Sequence, residues 1–376
     1  MKTVFAATNP CHMYGMALEL HRLGVLAAYH SGYPGWKLRP SAGFPLRTHS
    51  FRTLVTYGAA RLPHRIRPCL EKLYRWQDEG FDAATAASLT PADCVHGLPG
   101  QCREIFRAAR RLGMGTVVNH ASGPVRHQIA VLEEEWRRSG RRGKPVHRFD
   151  DRYFEREEEE YASADYHCCA SNRVARQLEE VGVDRSRIWV VPYGADPDIF
   201  YPGPDRSGRG GFKMVFAGQL VPRKGVKTLL EALEICGDRL DWSLDAYGPV
   251  SAEGQRDWQG YRGRIPIRHY GPVSQRRLAD IFRQADLLVL PSWEEGFGLV
   301  VPQALACGCP CLVSDRVGSA DLIRPGENGA VFPVGQSGEL ARMMEEWAVS
   351  PRRVVGDYSW RQPARLLVAH MESAWT

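Results

Sequence analysis

Glu295-Gly296-Phe297-Gly298 sets an acid beside two glycines where an apolar run, Leu287–Leu290, gives way to a helical pattern starting near Leu299. A carboxylate in that position accepts hydrogen bonds from sugar hydroxyls, and the glycines let the backbone come close to a ligand. Pro302 falls in the first helical turn, where its missing N–H costs nothing. The loop therefore lies at the C-terminal end of a parallel strand and at a helix start. Open α/β sheets bind ligands there, and the unpaired N–H groups favour anionic or hydroxyl oxygens. A second concentration of charge, Arg223-Lys224, occupies a polar turn just ahead of another helical stripe. In the first half, His120 ends the apolar strand Thr116-Val-Val-Asn-His and should face a ligand cleft if strand ends do. His127, past a proline, could line the same cleft. His12 and Gly15 read as part of the loop after the first strand.

These residues need a scaffold of alternating strands and helices. Short apolar runs at Thr3–Ala7, Val25–Tyr29, Asp93–His96, Thr116–Asn119, Tyr166–Cys169 and Ile188–Val191 alternate with amphipathic stretches, the pattern of βαβ units and parallel sheets. Pro202–Gly211 has neither period and reads as a linker. The alternation then restarts. Lys213–Ala217 is a strand, and Val226, Leu229, Leu230 and Leu233 form a helical stripe. Ser274 looks like the N-cap of a helix striped by Leu278, Ile281, Phe282 and Ala285; Leu287–Leu290 and Cys311–Ser314 are buried strands. The expected division is 1–204 and 205–357, with a terminal helix over 358–376 that must dock elsewhere.

The 376 residues suit two domains, and 44% hydrophobic with 24% charged residues is ordinary for a globular chain. No run approaches a membrane span, and the N-terminus lacks the apolar core of an export signal, which points to a cytoplasmic protein. The net charge of +6 does not argue for nucleic acid, and none is expected as a partner. Ten cysteines show no zinc-ligand spacing and read as reduced, buried thiols. The basic segment 61–76, interleaved with Leu, Ile, Tyr and Trp, could touch the inner membrane face or a lipid-diphosphate acceptor. Arg137–Lys144 reads as a charged loop, and the acidic run Glu155–Glu160 as a solvated helix face.

Glu295-Gly-Phe-Gly-Leu-Val-Val-Pro-Gln-Ala-Leu-Ala-Cys-Gly-Cys-Pro310 closely resembles the signature of the large retaining glycosyltransferase family numbered four, of the GT-B fold. Val215-Phe-Ala-Gly-Gln-Leu-Val-Pro-Arg-Lys-Gly225 resembles its phosphate-binding loop, Tyr270-Gly271-Pro272-Val273 its base-binding segment, and Val191-Pro-Tyr-Gly-Ala-Asp196 with Phe200 its hinge-side motif. Tyr358-Ser-Trp360 resembles the start of the helix that crosses back to the first domain.

The resemblance implies two Rossmann-like domains facing across a cleft, the second for a nucleotide-diphosphate sugar and the first for an acceptor glycan or lipid-linked acceptor. It implies transfer with retention of anomeric configuration, in polysaccharide or glycolipid assembly. Gly218, Arg223, Lys224, Glu295, Gly296, Phe297, Gly298 and Leu299 would hold the donor, His120 would contact its sugar, and Gly15 and His127 would lie on the acceptor side. Cations at 223 and 224 meet a physical need, because negative charge builds on the leaving diphosphate. Two positions depart from the pattern. Gln303 stands where the family has a ribose-holding Glu, and Gln219 where it often has Arg. An amide still bonds ribose hydroxyls, without a carboxylate's charge assistance. With Arg223 and Lys224 able to do a cation's work, activity without metal or other cofactor is expected. An epimerase or phosphorylase on this fold, and a non-catalytic nucleotide-sugar-binding partner, are the competing readings.

Overall fold

The computed structural model describes residues 1–38, 42–63, 68–138, 140–143, 145, 149–204, 210–239, 241–350 and 352–375. The chain divides into two compact units, one of residues 1–127, 146–191 and 361–376, the other of residues 128–145 and 192–360. The break falls after Val191, ahead of the expected boundary near 205, because Ala195 and Phe200 are buried in the second unit's core and Ala195 N donates to Tyr358 O. Residues 205–209 of the expected linker, 64–67 of the basic segment, and 139 and 144 of the charged loop lie outside the described residues.

The first unit is built on β1 (Thr3–Ala7), β2 (Leu26–Ser31), β3 (Leu46–Thr48), β4 (Cys94–Gly97), β5 (Gly115–His120), β6 (Tyr166–Cys169) and β7 (Ile188–Val190), in spatial order β3-β2-β1-β4-β5-β6-β7. Every pairing is parallel. Helices cover such sheets on both faces, so β1, β4 and β5 are buried along their whole length. The three-residue β3 has too little apolar length to announce itself in the sequence.

The terminal helix Arg361–Trp375 belongs to this unit and turns Ala364, Leu367 and Met371 inward. Met371 meets Cys94, His370 stacks on Trp189 with ring centroids 5.5 Å apart, and Trp375 fills the space beside Gly115.

The acidic run corrects one expectation. Within the helix Asp151–Ser163, Glu157 and Glu160 are buried, not solvated. Glu160 accepts from the N–H groups of Gly100, Cys102 and Arg103 at the start of the helix Arg103–Arg111, joined by Asp82, which accepts from Glu104 N and Ile105 N at 2.9 Å. Glu157 accepts from Val125 N at 3.2 Å, at the start of the helix Val125–Arg138. Helix N-termini attract carboxylates through unpaired donors and the macrodipole. Arg156 pairs with both Asp82 and Glu160, one cation shared by two carboxylates.

Gly15 and His12 also differ from expectation. Cys11 has extended backbone, the helix begins at His12, and both residues are helical; the loop after β1 is confined to Thr8–Cys11. In the basic segment, the helix Leu70–Ala87 half-buries Leu73, Tyr74 and Trp76.

The second unit carries β8 (Phe212–Ala217), β9 (Trp242–Tyr247), β10 (Ile267–His269), β11 (Leu287–Leu290), β12 (Cys311–Ser314) and β13 (Gly329–Phe332), all parallel, in order β10-β9-β8-β11-β12-β13. β9 is interrupted in sequence by Asp245, which is buried between Lys213 Nζ and Arg268 Nε at 3.0 Å each. The predicted stripe of the helix Val226–Cys236 is buried, and Ser274 Oγ accepts from Arg277 N as the cap of the helix Gln275–Gln284. Eight of the ten cysteines are buried; Cys69 is exposed and Cys11 half-buried, so the burial expected for all ten fails at those two. Among the described residues no helix is long and apolar enough to cross a membrane.

Histidines give the first unit an acid limit. Burial lowers His12, His30 and His96 from 6.5 to about 3 and His167 to about 4, and drives His120 well below its ordinary value. A base with a depressed native value favours folding above its unfolded value and loses that contribution as pH falls. Each therefore withdraws stability as pH falls from 6.5 towards 5. Glu157 and Glu160, raised by burial to about 7, act in the opposite sense but are fewer. Calorimetry should show the first unfolding transition moving to lower temperature from pH 6.5 to pH 5; an unchanged or rising midpoint contradicts the assignment.

Candidate functional site

The second sheet breaks its sequential order between β8 and β11. The connection from β8 leads to one edge, and the strands after β11 fill the other. Loops leaving the strand ends at such a break diverge and open a crevice. The two loops at this break are Gly218–Gly225, containing the short 3-10 turn Pro222–Lys224, and Pro291–Leu299.

These loops are fastened to each other. Trp293 N donates to Arg223 O at 2.8 Å. Gly225 has φ +69°, and a Cβ there would lie 2.0 Å from Pro291 O, so only glycine fits. Across this seam the charges interleave. Arg223 Nη1 donates to Glu294 O at 2.8 Å and to Glu294 Oε2 at 3.2 Å, and it lies 3.9 Å from Glu295 Oε2. Lys224 Nζ pairs directly with Glu295 Oε2. Burial, then the Arg223 guanidinium, lowers the Lys224 ammonium from 10.5 to about 7, with Glu294 opposing. The cations that the sequence singled out are thus held on carboxylates, with neither simply solvated.

Glu294 was not foreseen. It is fully buried, and its Oε1 has no hydrogen-bond partner among the described residues. Two adjacent glutamates in a sequence do not reveal which turns inward; the seam from Trp293 to Arg223 decides it here.

Glu295 is steadied from the far side. Its N–H donates to Arg316 O at 3.2 Å, its carbonyl accepts from Gly318 N at 2.9 Å, and Ser319 N donates to Phe297 O at 2.8 Å. Gly298 has φ +89°, the left-handed region. Gly296 is buried, Leu299 caps the helix Val300–Ala306, and the Phe297 ring packs against Tyr193 at 4.9 Å with 2% exposure. Phe297 therefore supports the loop through its ring. Gln303, in that helix, donates through Nε2 to Gln275 Oε1 at 3.2 Å, an amide pair that the sequence did not suggest.

The loops after β9 and β10 carry the same five residues, Tyr247-Gly-Pro-Val-Ser251 and Tyr270-Gly-Pro-Val-Ser274. This duplication is a sequence signal that identifies Tyr247 alongside Tyr270. Each serine caps the following helix. The tyrosine rings stack at 5.1 Å and 11°, leaving Tyr270 51% exposed while Tyr247 is buried. Gly248 N donates to Gly271 O, and Gly218 N to Tyr247 O, both at 2.9 Å. Pro272 and Val273 are exposed. Gly218, Arg223, Lys224, Glu295 and Tyr270–Val273 thus sit on successive strand ends of one sheet.

The first-unit candidates are placed differently. His120 ends β5 as expected, but its side chain is fully enclosed, with Nε2 3.0 Å from His167 Nδ1 and the ring edge-on to Tyr161. Burial and His167 keep it neutral. An exposed His120 facing a ligand is not what this unit presents. His127 Nδ1 lies 3.5 Å from Glu180 Oε2, and Gly15 is helical. Among the described residues no cluster of three or more His, Cys, Asp or Glu is arranged to hold a metal ion.

Residues 205–355 match the family model described as glycosyl transferases group 1. D-inositol 3-phosphate glycosyltransferase of Geodermatophilus obscurus is 30% identical over 245 residues, covering 58% of this chain and 54% of that protein. The protein of the same description from Mycobacterium tuberculosis is 30% identical over 229 residues, covering 53% and 47%. The chain thus matches about half the length of these relatives. HepE of Anabaena, solved with UDP and glucose, superposes with a TM-score of 0.66 at 13% identity, covering 99% of this chain and all of its own. Sucrose-phosphate synthase of Thermosynechococcus elongatus does so with a TM-score of 0.66 at 17% identity, covering 100% and 95%. Residues 205–355 thus resemble glycosyl transferases group 1, within a chain of GT-B fold.

Proposed function

We propose that the chain is a glycosyltransferase that moves a sugar from a nucleotide-diphosphate sugar to an acceptor glycan or lipid-linked acceptor, with retention of anomeric configuration. The observation that carries this reading is the pair of cations, Arg223 and Lys224, fastened beside Glu295 where the second sheet breaks order. In the transfer the bond from the anomeric carbon to the diphosphate oxygen breaks, and a bond to the acceptor oxygen forms. The acceptor proton passes to the departing phosphate on the same face.

Arg223 and Lys224 take the charge that accumulates on the diphosphate, which favours the transition state over the bound donor. Lys224 must leave Glu295 to do so, and that releases the carboxylate to accept sugar hydroxyls. The open face of Tyr270 suits stacking by the base, and Gln303 offers an amide to the ribose. Contact with an inner membrane face belongs to the same reading, as does a cytoplasmic location. Because the two cations serve where a divalent ion would, turnover needs no metal.

Three outcomes are expected. In a thermal-shift panel of nucleoside diphosphates and nucleotide sugars, one ligand raises the melting temperature and Lys224→Ala abolishes the shift; an intact shift in the variant moves the phosphate site elsewhere. Arg223→Ala lowers turnover by about 10²–10³, and excess chelator leaves wild-type turnover intact. Loss of turnover in excess chelator overturns the metal-free reading, and binding without turnover on every acceptor tried sinks the transferase reading. The Lys224 ammonium, lowered by burial to about 7, must be charged to grip a diphosphate. Affinity for a nucleotide sugar should therefore fall roughly tenfold per pH unit above 7, with proton uptake in calorimetry, and Lys224→Arg should flatten the profile. A flat wild-type profile rejects the shifted lysine.

A further inference from the structure

The helix Val125–Arg138 leaves the first unit after His127, and its remainder, with residues 140–143 behind it, belongs to the second. One guanidinium holds that segment in place. Arg141 Nη1 donates to Glu135 Oε1 and Arg141 Nη2 to Asp257 Oδ2, both at 2.7 Å. Arg141 N donates to Trp136 O at 3.2 Å, and Trp136 Nε1 donates to Arg142 O at 3.0 Å, so the chain folds back on the helix end. Exposed ion pairs between long side chains contribute little. This one is largely withdrawn from water, the Glu135, Arg141 and Asp257 side chains being 5%, 15% and 15% exposed. A planar fork set between two carboxylates fixes a geometry that a lysine's single ammonium would not.

The segment reaches both loops of the candidate site. Asp257 belongs to the helix Ala252–Gly260, whose first turn is seated on the loop after β8. Ser251 N donates to Leu220 O at 3.1 Å, and a Cβ on Gly254 would lie 1.8 Å from that same oxygen. Asp257 follows Gly254 by three residues, on one face of the helix. On the loop after β11, the Arg138 guanidinium stands over the Trp293 ring, 5.6 Å from its centroid. A Cβ on Gly335 would lie 2.8 Å from the same ring, which is therefore held between the two. Trp293 N is the donor to Arg223 O that fastens the loops together.

We infer that this segment braces the two loops and that Arg141 is its positioning residue. With Arg141 on Asp257, the helix Ala252–Gly260 stays on Leu220, Arg138 stays on Trp293, and Arg223 and Lys224 meet a diphosphate in one arrangement. Without that bridge the loops sample others, and binding must order them first. The inference rests on the glycosyltransferase reading for its ligand, whereas the bracing itself does not.

Hydrogen exchange and calorimetry on the full chain test the two parts separately. Without ligand, Arg141→Ala should speed amide exchange across 218–225 and 291–299 at an unchanged melting temperature. Unchanged exchange there overturns the brace. For whichever of UDP, ADP and GDP the wild type binds most tightly, Arg141→Ala should weaken affinity about tenfold. Asp257→Ala should do the same, and the double variant should bind no more weakly than either. Arg141→Lys should recover only part of the loss. Arg142→Ala, which removes the same charge from an exposed position one residue on, should match the wild type in both measurements. Faster exchange at wild-type affinity, additive losses in the double variant, or an equal loss in Arg142→Ala overturns the positioning role. A wild-type chain that binds none of the three nucleotides sinks the donor-site reading, while the exchange result still decides the brace.

Discussion

Two acids and two bases withdrawn from bulk water must find one another, and on the second sheet they do so across a single seam. Glu294 is wholly buried, and Arg223 answers it with one nitrogen that also reaches the Glu294 carbonyl. Lys224 rests on Glu295. An unmatched charge in such a place would be strongly destabilising, whereas matched pairs cost little net energy and fix geometry. The seam therefore explains why the loops after β8 and β11 hold one arrangement, and why its cations stand ready without being free.

Strand order makes this possible. A parallel sheet places all strand ends that carry ligand loops on one side, and a reversal of order parts two of those loops. Gly225 lets the first loop press against Pro291, and Gly298 lets the second turn back towards Leu290. The paired Tyr-Gly-Pro-Val-Ser segments extend the same edge outward, each ending in a serine that starts a helix. One short solution to leaving a strand and entering a helix has been used twice side by side.

Much of this was legible beforehand because it depends on local pattern. Leu287–Leu290, Cys311–Ser314 and the stripe of Val226–Leu233 were readable as runs and periods, and Ser274 as a cap. What escaped depends on partners far away in sequence. β9 was hidden by Asp245, whose burial makes sense only once Lys213 and Arg268 flank it. Glu157 and Glu160 looked like solvent-facing acids because the helix starts that they cap lie elsewhere in the chain. His120 was correctly placed at a strand end, but its enclosure by His167 and Tyr161 is a tertiary fact. The Arg223–Lys224 pair was visible as charge, and its glutamate partners became specific only when β8 and β11 were adjacent.

The helix Arg361–Trp375 follows the second unit in the chain yet completes the first. It closes over Cys94, Gly115 and Trp189, which would otherwise keep an open apolar wall. During synthesis, domains generally fold as they emerge. Here the first unit keeps an uncovered flank until residues 361–375 have been made. The first unit is thus completed by a segment that is made only after the second unit's own residues.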